Sequence, residues 1–416
     1  MRDLAITVRA IIRANGSIQK LTVSRSRPFL MSVGMSAYSS VASQMLASAR
    51  LQTRIHSQSA HRVLIAGPMQ EANADWITEV RATLRQSSAN FFEVSPARFW
   101  LDFALSLALA YGSGAIFLLA PLGSLAQIAS YPVTVFWIYR LGSFVHEVSH
   151  LGHHEMRVFK VTWNLLVGVM TLAPSPFFTR HHRDHHSQRH FGRHEDPEYA
   201  VNFFPQGSWL GLLVYSLLIL VFPLVVFLRF FLSPLTFLHP ALREWVLRHA
   251  SSLTMNVRYE RKLSSFDRFA ITSIELLCWL RATAMLAAVY FGLSHWTRLP
   301  LFYSIALGAL ILNQLRLSGD HHFHSEGDPS SYEDHIRDSC NYTGRDVMTW
   351  LLYPFAIRYH ALHHLFPAMP YHNLRAAHEF LTSRLPAASP YHSLDQGTWW
   401  RVASRTLFSP TAPTQA

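Results

Sequence analysis

LGSLAQIASYPVTVFWIYRLGSFVHEVSH, Leu122 to His150, runs an apolar segment directly into two histidines four residues apart. The part from Leu122 to Val145 is long enough to cross about 30 Å of hydrocarbon at 1.5 Å per residue. A helix continuing past Val145 sets His146 and His150 on one face just beyond the membrane, with His153 and His154 one turn further along. One such pair is weak by itself, because histidines at a membrane surface are more often packing residues than ligands. Its weight comes from the rest of the chain.

Before this segment lies another spanning candidate, Trp100 to Ala120, joined to it by a short uncharged turn. After it come apolar stretches at Val161 to Phe178, Trp209 to Leu232, Ala270 to Leu293 and Leu299 to Leu317. The helix leaving Leu317 reaches His321 at once. If the histidines are to meet, the chain makes an even number of crossings between His186 and His321, although three long apolar stretches fall in that interval. Arg229 to Arg268 carries seven Lys or Arg, which holds this short loop on the cytoplasmic side. Trp209 to Leu232 is therefore expected to be re-entrant or interfacial, bending at Pro223. Val161 to Phe178, ending in Pro174 and Pro176, is expected to be interfacial. The resulting fold class is an all-α integral membrane protein with about four transmembrane helices, interfacial helices and a cytoplasmic histidine-rich cap.

Composition agrees with this reading. Half of the 416 residues are hydrophobic and 15% are charged, against about 25% in soluble proteins. The net charge of +11 is no nucleic-acid signature, because residues 1–70 hold nine Lys or Arg and one acid, Asp3, and so carry +8 of it. Residues 1–90 read as a basic, Ser/Arg-rich leader, disordered or removed; an organellar transit peptide and a translation start placed upstream of Met69 both fit. Residues 91–386 form the membrane domain, and 387–416 a loose polar tail. Two cysteines, Cys278 and Cys340, are too few for a four-cysteine iron–sulfur cluster.

Three further histidine clusters follow the first: HRDHH from His182, DHHFH from Asp320 and HALHH from His360. Three imidazoles within five residues are costly to crowd together unless a metal accepts their lone pairs, and H-x2-HH occurs twice. His146 and His150; His182, His185 and His186; His321; and His360, His363 and His364 together offer more ligands than one ion accepts, so two ions are expected to share them. Imidazole suits iron, copper, nickel and zinc, and the scarcity of cysteine speaks against a structural zinc site.

These residues resemble the membrane fatty acid desaturases. HEVSH, HRDHH and HALHH are similar to that family's three histidine boxes, and RLSGDH, Arg316 to His321, to its R-x-L-x-[ED]-H element. YHALHHLFPAMPYHNLRAAH, Tyr359 to His378, is similar to the closing signature Y-H-x-x-H-H-L-F-P-x-x-P-Y-x-N-L, and Asp196-Pro197-Glu198 to the acidic triplet after the second box. The resemblance covers about Phe99 to Leu381. Leu362 departs from it, standing where the family usually has glutamate. His239-Pro240 continues as Ala241-Leu242, so no HPGG heme segment of a fused cytochrome b5 is present, and the NYxEHYG box of alkane hydroxylases is absent.

The resemblance implies a diiron enzyme that uses dioxygen to introduce a double bond into a fatty acyl chain, with electrons from an external ferredoxin or cytochrome b5. It also implies iron ligation by the nine histidines above. Glu147, Asp184, Asp196 and Asp320 sit where a carboxylate accepts the distal N–H of a ligating imidazole. Phe136, Trp137, Tyr139 and the small residues around Gly308 are candidates for lining the acyl tunnel. The same oxidant can hydroxylate, so a hydroxylase or ketolase of a carotenoid, sterol or sphingolipid is the nearest rival. A histidine-rich metal transporter without catalysis is a rival from another class.

Overall fold

In the computed structural model, which describes residues 71–199, 208–325, 327 and 331–408, the Leu122 region becomes the second arm of a long helical hairpin. After a first helix, α1 (Glu71–Arg85), the hairpin consists of α2 (Pro96–Leu119) and α3 (Leu125–His150). Ser124 caps α3 by accepting from the Gln127 N–H, and Pro132 is tolerated inside it. A short helix, α4 (Arg157–Trp163), leads through a π-helical turn to α5 (Thr179–His185). There follow α6 (Trp209–Phe231), α7 (Pro240–His249), α8 (Ser265–Tyr290) and α9 (Arg298–Leu317). The remainder is α10 (Tyr332–Asp338), α11 (Val347–Leu352), α12 (His360–Leu365), α13 (Tyr371–Arg384) and α14 (Trp399–Phe408). Among the described residues no strand forms, only isolated bridges such as His321 with Ser339.

Among the described residues four helices are long and apolar enough to cross a membrane: α2, α6, α8 and α9. This set differs from the expected one. The α3 helix is 26 residues long but is not among the four; packed between α2 and α9, it buries Gln127, Ser130 and Thr134 rather than a purely apolar face. The α6 helix is continuous through Pro223, where the bend was expected: a helical proline forfeits one backbone hydrogen bond without ending the helix. Two contacts tie α6 to segments that lead toward the histidines. Tyr215 donates to Gln314 Oε1 at 2.5 Å, shortly before α9 ends, and Phe230 packs 5.0 Å from Phe177, four residues before His181.

The core beside the hairpin is aromatic. Phe99, Phe103, Phe144 and Phe159 pack mutually edge-on or tilted, with centroids 5.4–6.3 Å apart. Each buried ring contributes about 1.5–3 kcal/mol through apolar area alone. This cluster stiffens the base of α3 where His146 emerges.

The composition-based boundaries shift at both ends of the domain. Residues 1–70 lie outside the described residues, but the expected leader extended to 90, and residues 71–85 form a packed helix. Trp76, Ile77, Val80 and Leu84 are buried against Leu374, Ala377 and Leu381 of α13, and Trp76 donates to Glu333 at 2.9 Å. The supposed tail contains α14, whose Trp399 is buried and donates to the Leu315 carbonyl at 2.8 Å. Gly319 leaves space for that ring, since a Cβ there would stand 2.5 Å from Trp399 Cδ1. Averaging charge over long windows conceals helices of 10–15 residues that are polar on one side only.

Candidate metal centre

The nine histidines singled out from sequence converge into two groups. His146, His150, His182, His186 and His363 form one, and His185, His321, His360 and His364 the other; within each, one potential ligand atom per residue lies within 4.8 Å of all the rest. Helical geometry explains the partition. Successive residues turn by about 100°, so i+4 lies about 40° to one side of i and i+3 about 60° to the other, which splays the two about 100° apart. In HRDHH the i, i+4 pair His182 and His186 joins the first group, and the i+3 residue, His185, enters the second. HALHH does the reverse: His360 and His364 join the second group, and His363 crosses to the first. Each H-x2-HH motif thus serves both groups and binds them together.

His321 is presented differently. Asp320 O accepts from Cys340 N at 3.0 Å and the His322 N–H donates to the Asp338 carbonyl at 2.7 Å, which clamps the segment beyond α9 to residues 338–340. The Ala361 N–H donates to the Cys340 carbonyl at 3.1 Å, so the same strand-like segment positions the start of α12.

The geometry fits metal ions. Nε2 atoms approach one another at 2.9 Å (His150–His182), 3.2 Å (His182–His186) and 3.2 Å (His186–His363) in the first group. In the second they lie at 3.2 Å (His185–His321), 3.1 Å (His321–His360) and 3.0 Å (His360–His364). Two imidazole nitrogens each about 2.1 Å from a shared ion, at a right angle, stand about 3.0 Å apart. His146 Nε2 is buried and has no hydrogen-bond partner in the protein. Carboxylates hold several rings in the matching tautomer. His182 Nδ1 lies 2.7 Å from Glu198, His185 Nδ1 2.9 Å from Asp196, and His146 Nδ1 3.0 Å from Glu147. With the proton on Nδ1, the lone pair of Nε2 points inward, where several such lone pairs repel unless a cation lies among them.

Burial keeps most of these rings uncharged. It holds the pKa of His182, His186, His321, His360, His363 and His364 well below the usual histidine range, and neighbouring rings add to the effect. His185 goes the other way: burial depresses it, but the Asp196 carboxylate outweighs this and raises it to about 9. Burial lifts the Glu198 carboxyl to about 7. A cation entering the pocket would displace the proton from His185 Nε2.

The four carboxylates singled out from sequence divide evenly. Glu147 and Asp196 hold imidazoles, and Glu147 also accepts from the Tyr371 N–H at 3.0 Å, tying the first box to the closing signature. Asp184 does not, accepting instead from Tyr259 at 2.8 Å and Arg180 at 3.2 Å. Asp320 pairs with Arg316, one helical turn back on α9, rather than with a ring. Asp184 is turned within α5 toward a hydroxyl and a cation, and Asp320, just beyond α9, toward a cation, rather than toward a histidine.

Sequence reasoning missed Glu198, His335, Ser339 and Asp338. His335 Nε2 lies 2.7 Å from His364 Nδ1, and its ring stacks on Phe191 with centroids 3.6 Å apart. Ser339 Oγ stands 3.2 Å from His321 Nδ1, with Asp338 at 3.7 Å. Glu198 was visible in the acidic triplet, but a lone histidine in YEDHIRD carries no spacing signal. Leu362, where the family has glutamate, is wholly buried in the apolar cluster beneath α1 and α13. The tunnel candidates also separate. Phe136 lines a cavity of about 560 Å³ with Arg140, Trp350, Tyr353 and Tyr359, whereas a Cβ on Gly308 would stand 2.8 Å from Val135, so Gly308 marks a tight helix crossing.

Comparison with known proteins agrees with this arrangement. Residues 122–395 match the family model described as fatty acid desaturase. A ceramide hydroxylase of Caulobacter vibrioides (strain NA1000 / CB15N) is 35% identical over 299 residues, covering 71% of this chain and 84% of that protein. No solved structure matches the chain.

Proposed function

The chain belongs to the fatty acid desaturase family of lipid-modifying oxidoreductases, and from that premise we propose that it holds two irons in its five- and four-histidine groups and oxidises a lipid acyl chain with dioxygen, introducing a double bond. The observation that carries the reading is the division of nine histidines into two adjoining sets, each with its nitrogens converging. The family uses diiron centres, and imidazole donors without thiolate suit iron. Bound irons supply redox power toward an unactivated C–H bond that no side-chain acid or base provides.

The chain's own residues do the rest. Glu147, Glu198 and Asp196 keep the proton of their imidazoles on Nδ1 and raise the basicity of the inward nitrogen. The buried shell of Phe191, Tyr199 and Phe323 beside His321 excludes water from the oxidant. The cavity lined by Phe136, Trp350 and Tyr359 abuts the third box and is large enough to receive part of a lipid. Electrons come from an external ferredoxin or cytochrome b5, and the histidine-bearing end faces the cytoplasm.

Hydroxylation of a sphingolipid is the second reading, favoured by the 35% identity to a ceramide hydroxylase. Expression in a host with simple lipids, with and without added ceramide, followed by mass spectrometry, separates the two: loss of two hydrogens marks desaturation and gain of one oxygen marks hydroxylation. Two irons per purified chain and reductant-dependent oxygen consumption support the diiron reading. Zinc alone, with no oxygen consumption, would replace it with metal transport.

A further inference from the structure

The end of the bundle remote from the histidines holds a charge with no counterion. Arg281 lies in α8, nine residues before the helix ends at Tyr290, about 14 Å along its axis. The other charges of α8 are paired: Asp267 with Arg261, Arg268 with Glu244, and Glu275 with Arg243 at 2.7 Å and with Arg229. Arg281 makes no hydrogen bond or ion pair among the described residues; its Nε is buried without a partner, and its guanidinium lies over the face of Phe302, 5.6 Å away, with Tyr111 a polar neighbour in electrostatic range. A guanidinium does not deprotonate in proteins, so it must carry its charge where water is scarce. Such a charge requires an anion or a path to one.

Arg281 opens onto a cavity of about 250 Å³ between α8 and α9, whose other polar lining comes from Ser294 and Arg298. Arg298 begins α9 and likewise makes no ion pair among the described residues. The remaining walls include Ala284, Met285 and Phe302. Two cations and a hydroxyl thus face one small chamber with apolar sides. Around its mouth Tyr290 is 84% exposed and Trp296 63% exposed, the residue types that sit at headgroup level. The α9 helix separates this chamber from His321 by its whole length, about 30 Å.

We propose that this chamber binds the phosphate of an anionic phospholipid from the leaflet opposite the metal centre. Arg281 and Arg298 form charge-assisted hydrogen bonds to the phosphate, Ser294 donates a third, and the acyl chains run along the exposed apolar surfaces of α8 and α9. The lipid would hold the α8–α9 hairpin that carries His321, and this role is independent of the reaction the metals perform.

Full-length, metal-loaded protein is delipidated in detergent and offered phosphatidylglycerol, phosphatidylcholine or inorganic phosphate, with native mass spectrometry counting retained lipid. Wild type should retain one phosphatidylglycerol in strong preference to phosphatidylcholine. Arg281→Gln or Arg298→Gln should weaken retention roughly tenfold, while Arg268→Gln, at the other end of α8, should not. Iron content should be the same in all of them. Arg298, half-exposed at a helix start, provides the test even if Arg281→Gln does not fold. Equal retention of the two lipids, undiminished retention in Arg298→Gln, or full displacement by inorganic phosphate would each overturn the proposal.

Discussion

Glu198→Leu should strip one metal and spare the other. Glu198 Oε1 lies 2.7 Å from His182 Nδ1, a buried charge-assisted hydrogen bond behind a member of the five-histidine group. Loss of a carboxylate behind a ligating imidazole lowers metal affinity about 10–100-fold, or about 1.4–2.8 kcal/mol. The four-histidine group is oriented by other residues: Asp196 on His185, Ser339 on His321 and His335 on His364. Under a timed chelator challenge, iron per chain should therefore fall from two toward one in Glu198→Leu while wild type still holds both. Glu198→Gln should be milder, because its amide oxygen still accepts the His182 proton. Asp184→Asn is the counter-test, since Asp184 contacts Tyr259 and Arg180 and no imidazole. If Glu198→Leu releases iron at the wild-type rate, or Asp184→Asn releases it as fast as Glu198→Leu, the assignment of the supporting carboxylates is wrong.

His186→Ala and His364→Ala should each abolish lipid product while membrane insertion, followed by fractionation, stays normal; normal product from either would sink the site. Gly308→Leu should destabilise the protein by about 1–3 kcal/mol, seen as a lower unfolding temperature, because Val135 and the Tyr131 hydroxyl already occupy the space beside it. Trp399→Ala should cost about 3–5 kcal/mol by leaving a cavity against Leu315 and Gly319; an unchanged melting profile would show α14 to be dispensable. Leu362→Glu, which restores the residue the family usually has, should lower folded yield, because it buries a carboxylate at a fully enclosed position in an apolar cluster.

The all-helical class and the nine histidines that converge were legible because each rests on short-range periodicity, whereas the expected set of spanning helices included the α3 segment and left out α6. A run of about 20 apolar residues announces a candidate span by its length, and the repeated H-x2-HH spacing announces metal ligation. Composition did less well, since charge averaged over long windows hid α1 and α14.

What the sequence by itself supplied was the set of nine candidate imidazoles and the expectation that two ions share them, because spacing along a helix is a local property that survives in one dimension; their division into groups of five and four emerges only in three dimensions. Only the tertiary structure decided which acids and bases stand behind those imidazoles. Asp184 and Glu198 are both acidic and both close to the second box, but the turn after α5 brings Glu198 back onto His182 while helix geometry points Asp184 at Tyr259. His335 reaches His364 from 29 residues away because α10 packs on α12. A hydrogen bond of about 2.7 Å depends on where two backbones are placed in space, and that placement is fixed by the packing of the whole helical assembly rather than by any run of neighbouring residues.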